Sequence, residues 1–310
     1  MNREILPIAA AAGRPSILLA SALAALCLCA GGMASCGSGN EASGQPEAVS
    51  PRSEKSAIAG LRSYLTGNAA GLIAWTAKMR NQIAAGDVAR AQSRYATARV
   101  QFGQIEPVAR SLGDLTARID APGSPAATAR PLGFHAVERA LFLEQTTAGA
   151  LDPAKRLLAD VEELHRRLGT VDLRPKRVAE GIDAEMSELS ELKVSGTEER
   201  YSHIDLVGIA ANTEGVEAVF KAVKPWLVTV EGRELASQVE DQFSAVYASL
   251  RPYGLAAREP QTRPAAAGAR FVSYADLTRA DIQGFARPIR ALAELLAQIP
   301  SRLAPSRVGS

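Results

Sequence analysis

Apolar residues recur every three or four positions from about residue 54 to residue 305, and this spacing restricts the fold more than any other feature of the sequence. The clearest stretches are Leu157-Val161-Leu164-Leu168, Val178-Ile182-Met186-Leu189, Leu235-Val239-Phe243-Val246-Leu250 and Phe285-Ile289-Leu292-Leu296. A repeat of about 3.6 residues is typical of α-helices that bury one face. Because no stretch shows the sustained period-two alternation of strands, the sequence predicts an all-α protein.

The positions of the helix breaks and loops indicate an internal duplication. Breaks are expected at Gly86, Gly169, Gly196 and Gly232, which favours antiparallel bundles. The segment 68–107 aligns with 212–252, and a Pro/Ala-rich loop followed by a further helix comes after each. We interpret the body as two related up-down four-helix bundles, about 54–195 and about 196–305. Chance matching between alanine-rich helices is the alternative.

The first 36 residues are organised as a secretory signal. Arg3 and Arg14 precede the apolar run 17–30, which is too short for a comfortable membrane span. The sequence Met-Ala-Ser-Cys ending at Cys36 resembles a bacterial lipobox, which predicts a lipid anchor on Cys36 and an extracytoplasmic location on the cell membrane. The alternative is cleavage near Ala34 with Cys36 left free. Residues 37–53 are rich in Gly, Ser, Glu and Pro and are predicted to form a flexible tether.

The cysteine count and the charge balance exclude several classes of function. All three cysteines lie in the first 36 residues, so the body contains no thiolate metal site, disulfide or cysteine nucleophile. With 35 basic and 33 acidic side chains, the chain lacks the cationic excess of a general nucleic-acid binder. Any metal held by the body must be bound through oxygen and imidazole.

One short motif contains both an imidazole and a carboxylate that could bind a metal ion. The segment Gly133-Phe-His-Ala-Val-Glu138 places His135 and Glu138 three residues apart. On a helix this spacing directs an imidazole and a carboxylate to one point, as in metal sites inside helical bundles. The spacing alone is not specific, because a histidine near a glutamate is more often a solvated surface pair.

The surrounding sequence makes the motif more specific. The motif is accompanied by Ile105-Glu106-Pro107, Asp114-Leu115, Ile119-Asp120, the run Glu198-Glu199-Arg200-Tyr201-Ser202-His203-x-Asp205-Leu206, and Ala211-Asn212-x-x-Gly215. Together these segments resemble the imelysin-like domain of the EfeO/EfeM-type iron-uptake family, over roughly residues 56–299. The short tether resembles the EfeM form, which lacks an N-terminal cupredoxin domain.

The resemblance implies a metal site and its ligands. His135 and Glu138 match the family motif, Glu106 and Asp120 match further acids, and either Glu198 or Glu199 matches an acid before the Arg-Tyr-Ser-His run. Two departures are Gly103, where the family pattern has a glutamate, and Gly208, where it commonly has an aspartate. The loss of a carboxylate at residue 103 predicts a weaker or differently coordinated site.

The implied function is capture of iron, ferric or ferrous, and its transfer to a membrane iron permease of an EfeUOB-type system, with a haem peroxidase as a further partner. The hard donor set also suits zinc or manganese. A metallopeptidase is the enzyme alternative, but the chain contains no HExxH motif. A third possibility is a module that binds an anionic polysaccharide or a protein in a groove between the bundles, lined by His203 and Asp205.

The remaining polar and aromatic candidates have simpler interpretations. His203 and Asp205 are expected on different faces of one helix, where a structural role is as plausible as a place in the groove. His165 and the run Glu185, Glu188 and Glu191 are predicted to be solvated, and Trp75 and Trp226 to be part of the core.

Overall fold

The computed structural model describes residues 49–121, 131–254 and 272–305. Within these ranges the regular secondary structure is helical and no strand occurs. The predicted all-α fold is therefore confirmed. The secretory signal, Cys36 and most of the predicted tether lie outside the described residues. No helix within the described ranges is long and apolar enough to cross a membrane.

Short 3-10 turns lie between some of the α-helices. In chain order the α-helices are α1 (Pro51–Ala84), α2 (Val88–Gly103), α3 (Glu106–Ala109), α4 (Gly113–Ile119), α5 (Gly133–Glu138), α6 (Leu151–Leu168), α7 (Pro175–Glu191), α8 (Asp205–Val223), α9 (Val230–Leu250), α10 (Arg279–Leu296) and α11 (Ile299–Arg302).

Side-chain caps mark the starts of several of the longer helices. The Ser50 side chain caps α1, so the helix begins at Pro51, inside the segment predicted as tether. Thr278 and Asp281 form a reciprocal capping box at the start of α10. The predicted break at Gly232 is wrong, because Thr229 caps α9 and Gly232 lies in the first turn of that helix.

The principal helices pack in two groups of four. Helices α1, α2, α5 and α6 form one group, and α7, α8, α9 and α10 form the other. Helix α7 packs against α8 and α10, although the predicted bundle boundary near residue 195 assigns it to the first bundle. One apolar core runs through both groups, and α8 packs against both α1 and α2. Helix α2 thus contacts both α5 of its own group and α8 of the other.

Candidate metal centre

The first residue of α5 sets the position of the predicted motif. Gly133 has a φ of +55°, and a Cβ added there would lie 1.8 Å from the carbonyl oxygen of Ile119. Only glycine permits this close approach between the start of α5 and the end of α4. As a result, Nε2 of His135 lies 3.2 Å from Oδ1 of Asp120, the residue that ends α4.

Glu138 is held by the loop that precedes α8. Its Oε1 accepts hydrogen bonds of 2.9 Å from the backbone amides of Tyr201 and Ser202 and from the Ser202 hydroxyl. Its Oε2 lies 3.5 Å from Nδ1 of His135. Burial alone raises the pKa of Glu138, but the hydrogen bonds from His135 and the loop outweigh it and hold the pKa below the usual value. The backbone then widens into a π-helical turn over residues 139–143, a feature common at functional sites.

Arg99 of α2 lies at the centre of a cluster of carboxylates. Its side chain is 4% exposed, with Nη1 2.5 Å from Oδ1 of Asp120 and Nη2 2.9 Å from Oε1 of Glu198. Its Nε faces Oε1 of Glu199. The planar guanidinium therefore holds Asp120 and the two adjacent glutamates in a fixed arrangement.

The two glutamates that the sequence could not separate have different environments. The side chain of Glu199 is 2% exposed and that of Glu198 is 19% exposed. Oε2 of Glu199 accepts a hydrogen bond from the Tyr95 hydroxyl at 2.9 Å and lies 3.0 Å from the Ser202 hydroxyl oxygen. Burial raises the pKa of Glu199 to about 7 although Arg99 opposes the shift. Glu199 is thus the deeper and more tightly fixed of the two.

Glu106 belongs to a neighbouring cluster. Its Oε2 accepts hydrogen bonds from Nζ of Lys193 at 2.9 Å and from Nδ2 of Asn212 at 2.8 Å. Nζ of Lys193 also lies 3.1 Å from Oε1 of Glu185, which Asn212 contacts as well. Burial and the Glu185 carboxylate raise the pKa of Glu106 to about 8, and the Lys193 ammonium opposes this shift.

Comparison with known proteins identifies the family. The family model described as imelysin matches residues 57–283. The chain belongs to the imelysin family. Over 247 residues it is 34% identical to "Iron uptake system component EfeO" of Escherichia coli (strain K12), a match that covers 78% of this chain and 62% of that protein. The proteins of the same name from Shigella flexneri and Escherichia coli O157:H7 match with the same identity and coverage. The chain thus spans less than two thirds of the length of these relatives.

These matches confirm the resemblance to the EfeO/EfeM-type family. The surroundings of Gly103 explain one of the two positions at which the sequence departs from the family pattern. Gly103 does not face His135 but packs against α8, where an added Cβ would lie 3.0 Å from Oδ1 of Asn212 and 3.0 Å from Cβ of Ala211. A carboxylate at residue 103 would therefore adjoin the Glu106 cluster. Gly208 has open space around it, and nothing in the structure accounts for the glycine.

Two predictions made from spacing alone are wrong in this imelysin domain. His203 and Asp205 do not share a helix, because α8 begins at Asp205 and His203 is an exposed loop residue with a φ of +53°. Asp205 is buried and accepts a 3.1 Å hydrogen bond from the Glu199 amide. Of the three glutamates predicted to be solvated, Glu185 is 0% exposed and pairs with Lys193 and Arg110, whereas Glu188 is half-buried and Glu191 is exposed.

The two tryptophans and His165 differ in how far their side chains are exposed. Trp226 is fully buried, as predicted for a core residue. Trp75 is only half-buried, and Nζ of Lys78 lies 3.9 Å from the centre of its ring. His165 is half-buried on α6.

The electrostatics of the His135 cluster favour a bound cation. Asp120, Glu138, Glu198 and Glu199 contribute four carboxylates, and Arg99 is the one permanent cation that contacts three of them. Burial lowers the pKa of His135, but the hydrogen bonds to Asp120 and Glu138 outweigh it and raise the pKa to about 10. In this state the protonated imidazole supplies the second positive charge.

The donor set fits a hard metal ion. It consists of carboxylate oxygens and one imidazole, which suit iron, manganese and zinc better than soft metals. Across the described ranges, however, no three His, Cys, Asp or Glu side chains converge in an arrangement ready for a metal ion. Arg99 and protonated His135 separate the carboxylates, so coordination requires rearrangement within the cluster.

Proposed function

We propose that this imelysin-family protein is the extracytoplasmic, metal-binding component of an EfeUOB-type uptake system, which captures iron at the His135 cluster and passes it to a membrane permease. The observation that carries the proposal is the buried group of carboxylates around His135, three of which share the single guanidinium of Arg99. The name of the curated relatives, iron uptake system component, supports the same role.

The proposed ligands are His135 and Glu138 of α5, Asp120 at the end of α4, and Glu199 or Glu198 from the loop before α8. All but Glu198 have side chains that are at most 6% exposed. Low exposure strengthens each electrostatic contact with the ion. Iron in either oxidation state satisfies these donors, and zinc or manganese would be accepted by the same set.

Capture of the ion is coupled to release of a proton. The His135 imidazole must be neutral to coordinate a metal, and its raised pKa means that it is protonated in the metal-free protein at neutral pH. The incoming ion takes over the role of the imidazolium charge among the carboxylates. Acidification favours the protonated state, so it favours release.

The delivery step uses the parts of the chain outside the described residues. A lipid on Cys36 would anchor the protein to the cell membrane, and the tether up to residue 50 would let the helical body reach a permease. A haem peroxidase of the same system is the further partner. These assignments depend on the signal-like N-terminus and on the family.

A peptidase activity has less support. The chain contains no HExxH motif, and Oε1 of Glu138 already accepts three hydrogen bonds from the loop. A general base must accept a proton from water during the reaction. A carboxylate this fully hydrogen-bonded and with a lowered pKa is poorly suited to that task.

The test is a calorimetric titration with iron under controlled redox conditions. The wild-type protein is compared with a His135→Ala, Glu138→Ala double variant. A matched control is the Glu162→Ala, His165→Ala variant, which removes a pair with the same spacing from the outer part of α6. We expect the first variant to lose iron binding and the control to retain it. Equal binding by all three proteins would refute the proposal.

A further inference from the structure

Lys193 occupies an unusual place for a lysine. It lies in a short 3-10 turn after α7, and its side chain is only 5% exposed. A lysine this deeply buried is rare unless its charge is paired. Its Nζ lies 2.9 Å from Oε2 of Glu106, 3.1 Å from Oε1 of Glu185 and 3.6 Å from Oε1 of Glu198. The ammonium group is therefore surrounded by three carboxylates from three segments of the chain.

Glu198 connects this arrangement to the His135 cluster. The same oxygen, Oε1, lies 2.9 Å from Nη2 of Arg99 and 3.6 Å from Nζ of Lys193. The buried acids thus form two adjoining groups that share one carboxylate, and each group encloses a cation. Helical bundles of the di-iron and di-manganese type hold a pair of ions with several carboxylates that project inward from different helices.

The carboxylates of the second group are already occupied by cations and donors. Lys193 contacts both Glu106 and Glu185, and Arg110 contacts Glu185 and, more closely, Glu188. Asn212 donates to both Glu106 and Glu185 and so reduces the number of free carboxylate oxygens further. In the His135 group, by contrast, a single guanidinium, that of Arg99, is shared by three of the four carboxylates. A metal ion entering the second group would have to displace an ammonium that is fully enclosed.

We propose that Lys193 is a built-in cation that closes the Glu106 group to metal ions and so limits this buried acidic region to a single bound ion. The inference rests on the proposed metal site at His135. It makes Lys193 a specificity-determining residue, and it assigns Glu106 to the structural network instead of the ligand set.

The first test counts bound ions. The whole protein and its Lys193→Met variant are titrated with Mn²⁺, and free Mn²⁺ is measured by electron paramagnetic resonance. We expect one bound ion in the wild type and two in Lys193→Met, because methionine keeps the volume but removes the charge. The Lys193→Arg variant, which keeps the charge, should bind one ion. Two ions in the wild type, or one ion in a folded Lys193→Met variant, would overturn the proposal.

A second variant tests the role of Lys193 without requiring that Lys193→Met folds. Glu106→Gln retains the shape of the side chain and leaves Lys193 with Glu185 and Glu198 as partners. We expect Mn²⁺ affinity to stay close to the wild-type value in this variant and to fall by about tenfold or more in His135→Ala. Equal losses in both variants would overturn the role of Lys193. Unchanged affinity in His135→Ala would instead refute the proposed function.

Discussion

Asp120 and His135, from two helices that meet end to end, lie with Oδ1 and Nε2 3.2 Å apart, and the close approach at Gly133 sets this distance. The glycine of the motif is therefore part of the site although it has no side chain. It brings an acid from one helix against an imidazole from the next, and Arg99 then draws in the acids of the loop before α8.

Replacement of Gly133 by alanine should disrupt both the fold and the site. The added Cβ would overlap the Ile119 carbonyl, and the left-handed backbone is unfavourable for alanine. We expect the free energy of unfolding to fall by about 2–4 kcal/mol and metal binding to be lost. Urea denaturation measures the first effect. Gly208→Ala is the control: it lies in open space on α8, and alanine there should leave stability equal or raise it by up to about 1 kcal/mol.

Removal of the Arg99 charge should make the protein depend on metal for its stability. An Arg99→Met variant lacks the cation that Asp120, Glu198 and Glu199 share. Asp120 and Glu199 remain buried without it. We expect a loss of about 3–5 kcal/mol in the metal-free protein, of which added Mn²⁺ restores a large part. Thermal denaturation with and without Mn²⁺ measures this. Arg90→Met, at a side chain that is 72% exposed, should have no effect, and an equal response of both variants would contradict the role of Arg99.

The affinity for iron should rise with pH. His135 has a pKa of about 10 in the metal-free protein, so below that pH each bound ion displaces a proton from it. Glu199, with a pKa of about 7, adds a second proton below neutral pH. We expect affinity to increase by about tenfold per pH unit between pH 7 and pH 9, measured by calorimetry in several buffers. A His135→Asn variant should bind weakly and without this slope, and a pH-independent wild-type affinity would contradict the proton exchange.

The metal-free protein should lose stability as the pH rises above neutral. The pKa of His135 is about 10 when folded and 6.5 when unfolded, so between these values the folded state binds more protons and its stabilisation declines. Glu106, with a pKa of about 8, acts in the same direction. The lowered pKa of Asp120 acts oppositely, but only in acid, where its stabilisation is lost as the pH falls. We expect a decline of about 1 kcal/mol per pH unit per proton, visible as a lower melting temperature at pH 8.5 than at pH 6.5. A flat profile would contradict the assignment of a protonated His135.

Helix positions were predictable because they depend on local sequence. The spacing of apolar residues identified α6, α7, α9 and α10 directly. The packing partners of the helices were harder to predict. Helix α7 precedes the predicted bundle boundary in the chain, but it packs against α8 and α10. Packing partners depend on how faces fit across long separations, which periodicity does not encode.

The acids of the site were found through the family motif, whereas the cations were missed. Arg99 lies on the same face of α2 as the buried Tyr95 and Phe102, four residues after the first and three before the second. Glu185 likewise lies between the buried Ile182 and Leu189 on α7. A charge within an apolar stripe is a signal for a buried pair. The identity of each partner, such as Glu185 with Lys193, depends on tertiary structure.

Anomalous X-ray diffraction at the iron absorption edge, from crystals of the iron-loaded protein, tests most directly whether iron binds at the His135 cluster. We expect a single strong peak within bonding distance of the His135 imidazole and the Glu138 and Asp120 carboxylates, with Lys193 still between Glu106 and Glu185. A peak at the Glu106 group, or at a surface position with the His135 cluster unchanged, would show that iron does not bind there.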